Sequence, residues 1–279
     1  MTATPAPRLS VTVTGDGANL VPLDQDNLAV RAAVALGQHA AVEPLVRLDL
    51  VKSIPVAGGL AGGSADAAAT LLACDALWGT DLPHADLLAL AAALGSDVPF
   101  ALTGGTALGT GRGERLAPVA STGHWHWVLA IAVGAGLSTP AVYAEHDRRR
   151  PASGTSDAAG AGRRPAGDSA GDLDPLLGAL RAGDAAALGA ALANDLQPAA
   201  LGLRPELQAT LDAGASAGAL GGVVSGSGPT CAFLAAGADA AAALQTDLQR
   251  GGVGRVVVTA YGPASGAHLV DSARRAAQR

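Results

Sequence analysis

The chain has 279 residues and a formal net charge of −6, and 49% of its residues are hydrophobic. This length can bury one large core or two smaller ones, and the mild acidity without a basic stripe argues against nucleic-acid binding. The two cysteines make no disulfide framework, residues 1–8 lack the apolar core of a signal peptide, and no apolar run is long enough to span a membrane, so we expect a cytoplasmic protein.

The first half of the chain has alternating strand patterns and helical apolar faces separated by turn residues. Asp24 or Asp26 is expected to cap the first helix, which runs to about residue 37. The other predicted elements are strands over residues 10–14, 45–51 and 106–108 and helices over residues 64–78 and 84–94.

The second half is expected to begin with a strand over residues 125–133, which divides the chain into domains at residues 1–124 and 125–279. Residues 148–172 are rich in Pro, Gly, Ser, Asp and Arg, which predicts a flexible surface insertion. Because strands and helices mix without regular alternation, the pattern favours an α+β fold over a doubly wound sheet. The remaining predicted elements are strands over residues 222–225, 230–235 and 255–260 and helices over residues 141–147, 173–181, 184–193, 204–217 and 239–250.

A glycine-rich stretch between Lys52 and Asp66 is the most informative part of the sequence. Glycines let backbone N–H groups point toward one anion, and the start of the following helix adds positive partial charge. Ser64 is predicted to be the N-cap, with Asp66 in the first turn. The expected ligand is the phosphate chain of a nucleotide, and the alternative is a turn that binds nothing. No Lys precedes Ser64, which excludes a Walker A loop, and the glycine spacing excludes a dinucleotide fingerprint.

Three separated segments resemble motifs of the GHMP kinase family. Residues 55–67 read Pro-x-x-x-Gly-Leu-x-Gly-x-Ser-x-x-Ala and resemble the second motif of the family, and residues 224–233 resemble its C-terminal glycine motif. Residues 95–100, Gly-Ser-Asp-Val-Pro-Phe, resemble a narrower branch that phosphorylates the 2-hydroxyl of a cytidine diphosphate derivative of methylerythritol in the non-mevalonate isoprenoid pathway. The resemblance extends from about residue 9 to about residue 270 and implies the same ATP-dependent activity here.

This resemblance implies a two-domain α+β fold with the nucleotide in a cleft between the domains. It identifies Asp97 with the catalytic carboxylate, for which a turn Asp bonded to backbone N–H groups is the alternative. ATP that carries Mg²⁺ is the implied phosphoryl donor, and no metal bound by the protein itself is expected. The implied ATP-binding residues are Lys52, Pro55, Val56, Ala57, Gly58, Gly59, Leu60, Ala61, Gly62, Gly63, Ser64 and Ala65. The glycine motif implied to lie near the phosphates or the substrate comprises Ser225, Gly226, Ser227 and Gly228.

Several of these positions have a purely structural alternative. Lys52 could be an exposed lysine at a strand end, and Ser64 could cap a helix without contacting phosphate or Mg²⁺. Asn27 matches a family position near the adenine, and helix capping explains it almost as well. The glycines of residues 226–228 could form an ordinary tight hairpin.

The sequence departs from the family pattern at its start. The family begins with a strand carrying Pro-x-Lys-x-Asn-Leu and a loop ending Asp-Gly-Tyr-His, and neither stretch is found here. Lys52 is the only lysine of the chain, and it belongs to the second motif. Either the native start lies upstream, which we favour because the other motifs are intact, or the chain is a shortened and catalytically impaired relative. Another GHMP small-molecule kinase and a non-catalytic nucleotide-binding protein are the alternative functions.

Overall fold

The computed structural model describes residues 1–56, 58–132, 136–149 and 173–270. Contacts within the chain divide it into two units. Of the described residues, the first contains 1–56, 61–118 and 264–270, and the second contains 58–60, 119–132, 136–149 and 173–263. This division differs from a single boundary after residue 124 because residues 264–270 return to the first unit, where Ala264–Ser265 pairs with Gly104–Gly105.

The first unit contains a three-stranded sheet, several helices and short strand pairs. Its strands are β1 (Thr2–Pro5), β2 (Ser10–Gly15), β3 (Val46–Lys52), β4 (Gly104–Gly105), β5 (Ala107–Thr110) and β6 (Arg115–Pro118), together with the two-residue strand Ala264–Ser265 that pairs with β4. Its helices are α1 (Leu28–Ala40), α2 (Gly62–Trp78), α3 (His84–Leu94) and α4 (Val98–Thr103). The strand order is β1-β3-β2, with β1 antiparallel and β2 parallel to β3.

Strand β3 determines the core face of this unit. Its side chains alternate between the two faces of the sheet, so that Val46, Leu48 and Leu50 are buried while Arg47 and Val51 are exposed. The same alternation places Lys52 on the buried face. The buried side chains of β3 pack in one cluster with residues of α1 and α2, including Leu36 and Leu71.

The second unit contains a four-stranded antiparallel sheet in the order β10-β7-β9-β8. Its strands are β7 (Trp125–Ile131), β8 (Gly221–Val224), β9 (Thr230–Ala235) and β10 (Val256–Gly262). Its helices are α5 (Thr139–Arg149), α6 (Asp174–Ala182), α7 (Ala185–Ala190), α8 (Gln197–Leu203), α9 (Glu206–Ser216) and α10 (Ala238–Arg250). Every residue of β9 is buried, and the Phe233 ring lies so close to Gly214 and Gly222 that a Cβ at either glycine would clash with it.

The predicted α+β class is confirmed, whereas several predicted element boundaries are wrong. Asn27, rather than Asp24 or Asp26, caps α1, since its Oδ1 accepts the Ala29 N–H at 2.9 Å and its Nδ2 donates to the Pro22 carbonyl at 2.8 Å. The sequence patterns also missed β1, β6, α4 and α8, which are short elements of four to seven residues. Within the described residues, no helix combines the length and the apolar character that crossing a membrane requires.

The predicted insertion over residues 148–172 is wrong at its first two positions. Arg148 and Arg149 lie in the last turn of α5, where both guanidinium groups bind Glu145 one turn earlier. These hydrogen bonds hold the pKa of Glu145 down at about 2 and support the helix end. Residues 150–172 lie outside the described part of the chain.

Candidate active site

The helix that follows the glycine-rich stretch begins earlier than predicted. Ala61 occupies the cap position with a left-handed φ of 53°, and its carbonyl accepts the Ala65 N–H at 3.0 Å. Ser64 is therefore the third residue of α2, so its predicted N-cap role is wrong, and Asp66 lies beyond the first turn. The N–H groups of Gly62, Gly63 and Ser64 fall in the turn that has no intrahelical acceptors, which is the arrangement that favours an anion. Among the described residues, the half-buried Ser64 hydroxyl has no hydrogen-bond partner.

Lys52 is not an exposed strand-end lysine, because it is only 7% exposed. Its ammonium forms an ion pair with Asp66 and lies 3.4 Å from the Gly62 carbonyl oxygen. Lys52 therefore fixes the first turns of α2 against the end of β3. The period-two pattern of Val46, Leu48, Leu50 and Lys52 is the sequence signal that could have predicted this burial.

Asp97 lies in the exposed turn just before α4, at the N-cap position. Its side chain makes no capping hydrogen bond, so the structural alternative of a turn Asp bonded to backbone N–H groups does not describe it. The next two residues, Val98 and Pro99, are buried and anchor the turn. Within the part of the chain that the structure describes, the Asp97 carboxylate has no ion-pair partner and is available to a ligand.

The C-terminal glycine motif forms the turn between β8 and β9 in the second unit. The Ser225 N–H donates to Thr230 O at 2.8 Å, and the Gly228 N–H donates to Ser225 O at 2.8 Å. Gly226 and Gly228 have φ values of 55° and 77°, which glycine adopts without steric cost. Asn194 also holds this turn, by donating to Val224 O and Gly226 O at 2.7 Å each, and sequence reasoning gave no signal for this residue.

Residues 58–60 of the first glycine-rich stretch belong to the second unit and contact this turn. A Cβ on Gly59 would lie 2.5 Å from the Gly228 carbonyl oxygen, and the buried Thr230 hydroxyl donates to Gly58 O. Residues 58–59 of the first glycine motif and residues 228–230 of the second, which are far apart in sequence, are thus adjacent. Ala57 lies outside the described residues, and Pro55 and Val56 belong to the first unit.

Within the described residues, no group of three or more His, Cys, Asp or Glu side chains could hold a metal ion. The polar groups predicted for the site that the first unit contains are the N–H groups at the start of α2, the Ser64 hydroxyl, Lys52 and Asp97.

Two family models match parts of both units. Residues 27–105 match the model of the GHMP kinases N-terminal domain, and residues 176–254 match that of the GHMP kinases C-terminal domain. Among curated relatives, 4-diphosphocytidyl-2-C-methyl-D-erythritol kinase of Salinispora tropica is 56% identical over 270 residues, covering 96% of this chain and 82% of the relative. The enzyme of the same name from Nocardia farcinica is 55% identical over 267 residues, covering 96% of this chain and 83% of the relative.

Solved structures agree with this assignment. A crystal structure of 4-(cytidine 5'-diphospho)-2C-methyl-D-erythritol kinase matches with a TM-score of 0.70 and 32% identity, covering 95% of this chain and 85% of that one. A homoserine kinase from Cytophaga hutchinsonii matches with a TM-score of 0.72 at 18% identity over 95% of this chain and 85% of that one, which shows a shared fold alone. The two matching domain models, with relatives above 50% identity over almost the whole chain, show that the chain belongs to the GHMP kinase family.

Proposed function

We propose that this protein is an ATP-dependent kinase that phosphorylates the 2-hydroxyl of 4-diphosphocytidyl-2-C-methyl-D-erythritol, in the non-mevalonate route to isoprenoid precursors. The observation that carries the proposal is the 56% identity, over 96% of the chain, to a relative that bears this activity in its name. The exposed carboxylate of Asp97, which has no partner among the described residues, is consistent with that chemistry. We also propose a cytoplasmic location, as suits an ATP-consuming step of small-molecule metabolism.

In the proposed reaction, the substrate alcohol attacks the γ-phosphorus of ATP. A new O–P bond forms, the bond to the β–γ bridging oxygen breaks, and ADP leaves. Phosphoryl transfer passes through a loose transition state, so the protein acts mainly by positioning groups and stabilising charge. Asp97 orients the hydroxyl and accepts its proton, which then passes to solvent. Mg²⁺ enters as part of the Mg·ATP substrate.

The phosphates are assigned to the two glycine motifs. The N–H groups at the start of α2 and the helix dipole favour negative charge there. Lys52 supports this helix start through Asp66 and Gly62, and Ser64 on the same turn has a hydroxyl that no described residue binds. The assigned ATP-binding residues are therefore Lys52 and residues 55–65, with Ser225, Gly226, Ser227 and Gly228 near the phosphates or the substrate.

A coupled ADP-release assay with ATP, Mg²⁺ and the cytidyl substrate tests the proposal, and phosphorus NMR then locates the transferred phosphate. The assay should be run on this chain and on a form extended by the upstream coding sequence, and the form that turns over then serves for the variants below. We expect phosphate on the 2-hydroxyl. Phosphorylation of homoserine instead would indicate another GHMP activity, and ATP binding without turnover by both forms would indicate a non-catalytic relative.

A further inference from the structure

Asn194 lies between α7 and α8 and uses its whole amide to hold neighbouring backbone. Its Nδ2 donates to Val224 O and to Gly226 O at 2.7 Å each. Its Oδ1 accepts the Leu196 N–H at 2.9 Å. The amide faces two carbonyl oxygens on one side and one N–H group on the other. Only the orientation with Nδ2 toward the carbonyls and Oδ1 toward the N–H satisfies all three hydrogen bonds.

The two carbonyls that Asn194 binds lie on either side of Ser225. Val224 ends β8, and Gly226 is the first glycine of the turn that ends at Gly228. A turn with two glycines in left-handed conformations has many alternatives in solution, since glycine restricts the backbone less than any other residue. One side chain that bonds both sides of Ser225 selects a single conformation of this turn.

The turn passes this constraint on to the first glycine motif within the same unit. Gly228 O is the atom nearest to the place where a Cβ on Gly59 would lie, and the Thr230 hydroxyl donates to Gly58 O. A shift of the turn would therefore move the surface against which Gly58 and Gly59 rest. No motif of the sequence analysis contains Asn194, and its side chain reaches neither Gly58 nor Gly59 directly.

We infer that Asn194 is a positioning residue for ATP binding: it fixes the Ser225–Gly228 turn, and through it Gly58 and Gly59, in the conformation that receives the phosphates. The inference rests on the proposed function, because it assigns the glycine motifs to ATP. It predicts that loss of the two Asn194 donors weakens binding of the nucleotide more than it changes the chemical step.

Gln197 provides a matched control three residues away. Its Oε1 accepts the Val224 N–H at 2.8 Å, so Gln197 is the acceptor toward Val224, whereas Asn194 is the donor. Gln197→Glu keeps the accepting oxygen, whereas Asn194→Asp removes both donors and places an anionic oxygen against two carbonyl oxygens. Each substitution preserves side-chain shape and adds one negative charge to the same segment. A difference between the two variants therefore reports the lost donors and not the added charge.

The experiment measures kcat and KM for ATP, Kd for a non-hydrolysable Mg·ATP analogue by calorimetry, and thermal unfolding, in the wild type and three variants. For Asn194→Asp, and for Asn194→Ala, which adds no charge, we expect KM and Kd to rise about 10-fold while kcat changes less than about 3-fold. For Gln197→Glu we expect changes within about 2-fold in all three constants. This split separates positioning from a purely structural loss, which would lower the active fraction and leave KM unchanged.

Unchanged KM and Kd in folded Asn194→Asp and Asn194→Ala would overturn the inference. An equal rise in Gln197→Glu would also overturn it, since added charge would then explain the effect. Failure of both Asn194 variants to fold would assign Asn194 to the fold itself and reject the positioning role. If the wild type neither turns over nor binds the analogue, the proposed function fails first, and that outcome is visible before any variant is made.

Discussion

Lys52 and Asp66 form a largely buried ion pair that joins the end of β3 to the second turn of α2. Their side chains are 5% and 19% exposed, and the Lys52 ammonium also lies 3.4 Å from Gly62 O. The strand alternation that buries Leu48 and Leu50 brings Lys52 to the same face, where an unpaired ammonium would be costly. The pair therefore determines where α2 begins relative to the sheet.

Asp66→Asn should lower the free energy of unfolding by about 2–3 kcal/mol. Removal of one partner leaves the other charge poorly solvated, and the 19% exposure of Asp66 keeps the loss below that of a fully buried pair. Urea unfolding followed by circular dichroism measures the change. We also expect KM for ATP to rise, since the start of α2 loses its anchor.

The matched control is Asp49→Asn on β3, the strand that carries Lys52. Asp49 binds Arg47 in an ion pair whose side chains are 37% and 54% exposed, and exposed pairs contribute little to stability. The loss at Asp49 should therefore be much smaller than the loss at Asp66. Equal losses at both positions would contradict the anchoring role of the buried pair.

Asp97→Asn should lower kcat by about 100-fold to 10,000-fold, which is the usual contribution of a positioned acid–base group. The Asp97 side chain makes no hydrogen bond to the described protein, so thermal unfolding and nucleotide binding should change little. Steady-state kinetics and calorimetry with an ATP analogue provide the two measurements. Asp239→Asn, on an exposed position of α10, is the control for the charge change. An Asp97→Asn protein with near-normal turnover would reject the catalytic assignment.

The sequence was sufficient for the fold class, because long apolar periods predict α3 over residues 84–94 and β9 over residues 230–235 with the bounds that the structure shows. Caps were predicted poorly. Ser64 has the right chemistry for an N-cap, but Ala61 adopts the left-handed conformation and starts the hydrogen-bond ladder three residues earlier. Asn194 could not be found from the sequence because its partners, Val224 and Gly226, lie 30 and 32 residues away.

Gly59→Ala should strongly impair nucleotide binding. Gly59 has a φ of 70°, and its new Cβ would lie 2.5 Å from Gly228 O, so either glycine motif would have to move. We expect Kd for the ATP analogue to rise at least about 10-fold. The binding free energy lost in that change is about what one hydrogen bond contributes. Calorimetry on the folded variant makes the measurement.

Gly79→Ala separates this contact from backbone strain. Gly79, at the C-terminus of α2, has a φ of 61° but nothing within 4 Å of its Cβ position. Both alanines therefore carry the strain of a left-handed residue, about 1 kcal/mol, and only Ala at position 59 meets the opposite motif. A similar loss of nucleotide affinity in both variants would show that the Gly59 contact is not what the ligand requires.

Neither cysteine should react with thiol reagents in the native protein. Cys74 and Cys231 are completely buried, and burial raises the pKa of each thiol to about 12. The thiolate is the reactive form, so at pH 8 both groups are protonated as well as inaccessible. Labelling with a disulfide reagent should be slow in buffer and should reach two thiols per chain in denaturant.

The pH dependence of the labelling rate distinguishes a buried thiol from an accessible thiol that reacts slowly. In the unfolded chain the thiol pKa returns toward its ordinary value of about 8.5. At pH values below about 8.5, labelling should therefore accelerate nearly 10-fold for each unit by which the pH is raised. In the folded chain the raised pKa leaves almost no thiolate between pH 7 and 9, and reaction must wait for opening of the core. The folded-state rate should therefore follow the opening equilibrium, and Asp66→Asn should accelerate labelling of Cys74 in the first unit more than labelling of Cys231 in the second. Equal acceleration at both cysteines would show instead that the two units open together.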